Sequence, residues 1–157
     1  MLRTAATLAP EDAATELLSG ADALPYFDPD LDRDPLPPPV RELRDAVHAA
    51  DALLICTPEY AGALPGAFKN LLEWLIGDDD PRSISGKRVG IVNISAAPTG
   101  ARDAHQSLRT VLRYAGADVV TDVAIPVERA MIDGNGLVDG PMIRDRVEAV
   151  MAALVPF

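Results

Sequence analysis

Thr57-Pro58-Glu59-Tyr60-Ala61-Gly62-Ala63-Leu64-Pro65-Gly66-Ala67-Phe68-Lys69-Asn70-Leu71-Leu72-Glu73-Trp74-Leu75 follows directly on the apolar run Ala52-Leu53-Leu54-Ile55-Cys56. An unbroken apolar run of this kind is what a strand covered on both faces requires. The stretch after it, punctuated by proline and glycine, reads as a tight loop. From Leu64 onward, Leu64, Phe68, Leu71, Leu72 and Leu75 recur at helical spacing, with Lys69 and Glu73 one turn apart on the outer face. A buried strand, a tight loop and a helix start form one βα unit. In open α/β sheets ligands bind at the carboxyl ends of strands, in loops of this kind. The stretch therefore bears on the fold class and on the ligand site together.

The alternation continues outward. Downstream, Lys87 to Ser95 reads as a second buried strand through Val89, Ile91, Val92 and Ile94. A loop from Ala96 to Asp103 follows, then a helix with Leu108, Val111, Leu112 and Ala115 on one face and Gly116 placed for its C-terminal cap. Val119 to Ile125 is the last strand. Asp133-Gly134-Asn135-Gly136 is a turn, read as a hairpin tip, and the final helix buries Ile143, Val147, Val150, Met151 and Leu154. Upstream, Val40, Leu43, Val47 and Ala50 form the inner stripe of a helix that starts after Pro37-Pro38-Pro39. Ser19 to Pro39 is a long loop in which Tyr26 and Phe27 are expected to pin the chain to the body. Ala14 to Leu18 is expected to be a short strand, and residues 1–9 part of a helix ended by Pro10. Strands alternating with helices imply a parallel sheet with helices on both faces, and right-handed crossovers leave few topologies. The natural candidate is a flavodoxin-like three-layer sandwich of order 2-1-3-4-5, in a single domain over 1–157.

Composition narrows the function. With 24 acidic residues against 14 basic ones, a net charge of −10 lacks the basic footprint that nucleic acids or an anionic membrane surface demand. No apolar run is long enough to span a bilayer and no signal peptide is visible, so a cytoplasmic location is expected. The lone Cys56 excludes an internal disulfide and is expected to be a small buried side chain. No arginine follows it in the loop, as a phosphate-cradling cysteine nucleophile would need. His48 and His105 lie far apart with no second ligand at metal spacing, so no metal site is expected. His105 reads as a surface residue whose neighbours Arg102 and Asp103 form no relay. Gly134 and Gly136 make no dinucleotide fingerprint, since no strand runs into them. Glu59 has no obvious carboxylate partner for glycosyl-transfer chemistry.

Thr57 to Leu75 resembles the Thr-Pro-Glu-Tyr-Asn-Gly-Ser-x-Pro-Gly-x-Leu-Lys-Asn-x-x-Asp-Trp segment of the NADPH-dependent FMN reductases, a family with quinone, chromate and azo-dye reductases in it. Leu24-Pro25-Tyr26-Phe27-Asp28-Pro29-Asp30-Leu31 is similar to that family's Leu-Pro-x-Tyr-Asp-x-Asp region. Ser95-Ala96-Ala97-Pro98-Thr99-Gly100 falls where the family has its second flavin loop. The chain departs from the pattern at Ala61, where asparagine is usual, at Ala63, where serine is common, and at Ala101-Arg102-Asp103, where glycine is more frequent. Arg102 either offers a charge to the cofactor or faces water. The first strand of the family and its Gly-Ser-rich phosphate loop are not found ahead of the first helix. Their loss would open a gap in the sheet of roughly two strand spacings and leave the Ala52–Cys56 strand an exposed edge. Two explanations compete: the missing residues lie upstream of Met1, which the intact pattern elsewhere favours, or the chain is a shortened form that holds FMN poorly.

The resemblance implies a flavin-dependent NAD(P)H oxidoreductase that uses FMN and NADPH to reduce a quinone or similar small electron acceptor. It implies cofactor contacts from Pro58, Glu59, Tyr60, Ala61 and Gly62 on one side and from Ser95, Thr99 and Gly100 on the other. The backbone N–H groups of the first loop would face the polar edge of the flavin ring, Gly62 would let the backbone approach closely, and Tyr60 would lie beside the ring or line a dimer seam. No side chain need act as acid or base, so no catalytic residue is assigned. Trp74 is expected to be a packing or interface residue. A homodimer is expected, because Phe68, Leu72, Trp74, Leu75 and Ile76 give their helix more apolar surface than one sheet face needs. The rival reading is a non-catalytic flavodoxin-like remnant that binds no flavin.

Overall fold

The computed structural model describes residues 1–94 and 100–155. In chain order the elements are α1 (Leu2–Thr7), α2 (Pro38–Ala49), β1 (Ala52–Cys56), α3 (Gly66–Ile76), β2 (Arg88–Ile94), α4 (Arg102–Tyr114), β3 (Asp118–Ile125) and α5 (Pro141–Leu154). Among the described residues the sheet has three parallel strands in the order β1-β2-β3. Cys56 is aligned with Val92, and Asn93 with Ala124. α3 and α4 carry the two crossovers and contribute to the same apolar cluster, as successive crossovers of one hand in one direction must.

Alternation along the strands sorts the core into two layers. Leu53, Ile55, Val89, Ile91 and Val119 belong to one cluster with the inner stripes of α2, α3 and α4. Leu54, Cys56, Val92, Val120 and Val123 belong to a second cluster with Ala5 of α1 and with Ile143, Val147, Val150, Met151 and Leu154 of α5. Helices thus cover both faces, as the alternation in the sequence predicts. The central strand is sealed: Val89, Ile91 and Val92 are at most 1% exposed. At Gly90 a side chain would meet Thr121 Cγ2 at 3.1 Å and the Leu154 methyls at 3.3 Å, so the absence of one lets α5 sit down on β2. The α4 terminus is the predicted glycine cap. Gly116 has φ +75°, its N–H reaches the Arg113 carbonyl, and the Ala117 N–H reaches the Leu112 carbonyl. The Asp133–Gly136 turn is the tip of a small hairpin closed by the Ile132–Val138 bridge.

Three expectations fail. Ala14–Leu18 forms no strand; Ala14, Thr15 and Glu16 are exposed, and Leu17 and Leu18 are about half exposed. Among the described residues β1 pairs only with β2, so its other edge is open, yet this exposed run does not pair with it. Tyr26 does not pin the long loop, being 91% exposed. Phe27 does so alone, edge-on to Trp74 with ring centroids 5.0 Å apart. Finally, α3 does not display surplus apolar surface: Leu72, Trp74 and Leu75 are buried within the chain, and only Ile76 is substantially exposed.

Trp74 organises that loop. Its indole N–H and the Asn70 amide both donate to the Pro25 carbonyl at 2.9 Å, and Asn70 Oδ1 accepts the Phe27 N–H at 2.7 Å. The buried Arg44 donates to the Trp74 carbonyl through Nε (3.0 Å) and Nη2 (2.7 Å), and Nη2 also reaches Asp32 at 2.8 Å. Asp32 lies so close to Gly77 that a Cβ there would overlap it. The Lys-Asn-x-x-x-Trp part of the signature is thereby explained as fastening: Asn70 and Trp74 hold the loop, and Lys69 pairs with Glu73 at 2.6 Å.

Candidate functional site

At the carboxyl end of β1 the backbone turns back on itself. Tyr60 and Ala63 exchange two N–H···O bonds of 3.1 Å, and the two residues between them, Ala61 and Gly62, have φ of +52° and +71°. Positive φ at both central residues is the signature of a type I′ turn, for which Asn-Gly is the favoured pair. Gly62 fits it at no steric cost. Ala61 does not, and holding a Cβ in the left-handed region costs on the order of 1 kcal/mol. Where the family has asparagine, then, this chain carries local strain as well as a missing amide.

The turn stands out from the sheet. Pro58, Tyr60, Ala61 and Gly62 are exposed, Tyr60 by 65%. Thr57 beneath them is buried and anchors the base through its hydroxyl to the Pro58 carbonyl. Tyr60 and Ala63 use their own N–H groups to close the turn. Among the described residues, the N–H groups of Glu59, Ala61 and Gly62 have no partner. A set of donors at a strand end, two of them on the exposed Ala61 and Gly62, suits a ligand edge rich in acceptors. The polar edge of an isoalloxazine ring, with its carbonyl oxygens and bare ring nitrogens, is such an edge, so these residues fit the ring end of FMN.

The second predicted loop lies partly outside the described residues: Ser95 and Thr99 are among those not described. Gly100 is described, at φ +59°, next to Ala101, also at φ +59°. It is brought to the turn by two side chains. Glu59 Oε2 accepts the N–H groups of Asp103 and Ala104, at 3.0 and 3.1 Å, at the start of α4. Asn93, 1% exposed, donates to the Gly100 carbonyl and accepts the Ile125 N–H at 3.2 Å. Arg102 faces water and pairs with Asp103 at 3.3 Å. Pro58 to Gly62 and Gly100 therefore share one end of the sheet.

His105 corrects the sequence expectation: it is not at the surface but 4% exposed, on the face of α4 that meets β3. Its Nδ1 lies 2.5 Å from Asp122, which Arg109 also binds. Asp122 sits within the apolar strand Val119 to Ile125, where a carboxylate needs a partner. That misfit was the available signal, and Asn93 within the second apolar strand was another. Cys56, at the foot of the turn, is only partly buried; desolvation still raises its thiol pKa. Two surface depressions flank α2, one lined by Asp30, Arg33, Pro35 and Arg41, and neither coincides with the turn.

Residues 1–131 match the family profile described as NADPH-dependent FMN reductase. The chain is 33% identical over 135 residues to a 2-hydroxy-1,4-benzoquinone reductase from a Burkholderia species, covering 83% of this chain and 72% of that protein. It is 28% identical to an NAD(P)H-dependent FMN reductase of Pseudomonas aeruginosa over 98% of this chain and 83% of the other. Among solved structures it is similar to FerB, a flavoenzyme NAD(P)H:(acceptor) oxidoreductase from Paracoccus denitrificans. The TM-score is 0.82 at 25% identity, over 98% of this chain and 84% of that one.

Proposed function

From the premise that the chain belongs to the NADPH-dependent FMN reductases, oxidoreductases that work with FMN and NAD(P)H, we propose that it passes electrons to a quinone or a similar small acceptor. Support for the acceptor class comes from the benzoquinone reductase among its relatives. FMN, when bound, would supply the redox chemistry between the nicotinamide and the acceptor. The residues assigned to hold it are Pro58 to Gly62 on one side and Ser95, Thr99 and Gly100 on the other.

The observation that carries this reading is the type I′ turn, with the N–H groups of Glu59, Ala61 and Gly62 that have no partner among the described residues. Donors fixed by a closed turn need no reorganisation when negative charge develops beside them. Tyr60, exposed at the base of the turn, would lie beside the ring or line the dimer seam. None of these residues needs to move a proton. A homodimer is part of the proposal, resting on less surface than the sequence suggested: of the five α3 residues, Ile76, at 44% exposed, and the partly exposed Phe68 are what remains. A cytoplasmic location belongs to the proposal as well; no helix among the described residues is long and apolar enough to cross a membrane.

The test is a titration of the purified protein with FMN, followed by flavin fluorescence, and then by NAD(P)H oxidation with benzoquinone as acceptor. Saturable uptake and quinone-dependent turnover are expected. Absence of uptake overturns the reading and favours the non-catalytic alternative.

A further inference from the structure

The Glu59 side chain turns back from the tip of the loop and lies across the start of α4. Asp103 and Ala104 are the second and third residues of that helix, the positions whose N–H groups an N-cap side chain ordinarily serves. Ala101, the residue at the cap position, has no side chain that can serve them. Glu59 supplies the cap from 44 residues away, both bonds going to the same carboxylate oxygen. Behind the same junction, buried Asn93 fixes the Gly100 carbonyl to the sheet. The chain from Gly100 to Ala104 is thus clasped between the turn in front and the strands behind.

We propose, on the strength of the flavin reading above, that Glu59 is a positioning residue whose carboxylate binds α4 and does not touch the cofactor. It fixes the spacing between the Tyr60–Ala63 turn and the Gly100–Ala104 start of α4, so that the turn is already set against that junction when the ring arrives. Its backbone N–H stays available to the ligand while its side chain does the bracing. A turn braced before the ligand arrives binds more tightly than one the ligand must hold in place.

FMN affinity and unfolding temperature, measured together on E59A, E59D and E59Q well below the unfolding transition, test this. Loss of the brace in E59A weakens FMN binding about tenfold or more. E59D, one methylene short of both N–H groups, behaves like E59A and carries the test where the alanine variant does not fold. In E59Q the amide oxygen accepts both N–H groups, so affinity returns to within about threefold of wild type. A lower unfolding temperature with unchanged affinity in E59A and E59D makes the residue merely structural and overturns the proposal. So does E59Q binding as poorly as E59A while E59D binds normally, since the charge would then act on the ligand. Wild-type protein that takes up no FMN defeats the flavin reading itself, a result distinct from wild-type uptake that the variants leave unaltered.

Discussion

The turn after β1 and the junction into α4 use the same unusual backbone and hold it in opposite ways. Each has two consecutive residues at positive φ, one glycine and one alanine: Ala61-Gly62 in the first, Gly100-Ala101 in the second. The first pair is exposed and closed by two hydrogen bonds between its own immediate neighbours, Tyr60 and Ala63. The second contains a buried alanine and is held from outside, by Asn93 and by Glu59. A left-handed alanine is tolerated where the surroundings over-determine it. The surroundings are local in one case and tertiary in the other, and three substitutions separate the two.

The largest effect is expected at the second region. Asn93→Ala strips a buried side chain of a donor and an acceptor and leaves the Gly100 carbonyl and the Ile125 N–H without their partner. A loss of about 2–4 kcal/mol in urea-induced unfolding is expected. A loss below about 0.5 kcal/mol would mean that the junction holds itself, as the first turn does. Next, Ala101→Asn places a residue that favours this backbone into a buried position, where its amide must be taken out of water. The expected outcome is a loss of about 1–3 kcal/mol, read by the same measurement. The smallest effect has the opposite sign. Ala61→Asn puts the same residue at nearly the same φ but in water, restoring the favoured type I′ pair. A gain of about 0.5–1 kcal/mol is expected, seen as a raised unfolding temperature. Equal signs for the two asparagine substitutions would show that backbone preference alone, and not burial, decides.

This contrast also accounts for what the sequence made legible. The strand Ala52–Cys56, the tight loop behind it, the stripes of the four long helices and the Gly116 cap are written within a few residues of themselves, and periodicity or turn chemistry suffices to read them. The fold class followed from the same signals. What stayed hidden depends on partners far along the chain. His105 read as a surface residue because its acid, Asp122, is 17 positions away on a strand. Asn70 and Trp74 were visible as a signature, but their partner, the Pro25 carbonyl, is 45 and 49 positions away. Ala14–Leu18 carried a strand-like pattern, and a pattern alone does not bring a run to the open edge of β1. At the candidate site, Pro58 to Gly62 were legible as a ligand loop, whereas the brace from Glu59 to α4 required the crossover to bring two strand ends together. Spacing tells which side of an element is buried; it does not tell what lies opposite.

Trp74 has a practical consequence. It is the only tryptophan in the chain, it is fully enclosed, and its indole is bonded to the very loop that folds over it. Its emission is therefore a built-in, label-free optical gauge of whether that flap is seated. A red shift that precedes the loss of helical circular dichroism would register the flap lifting before the rest of the molecule melts.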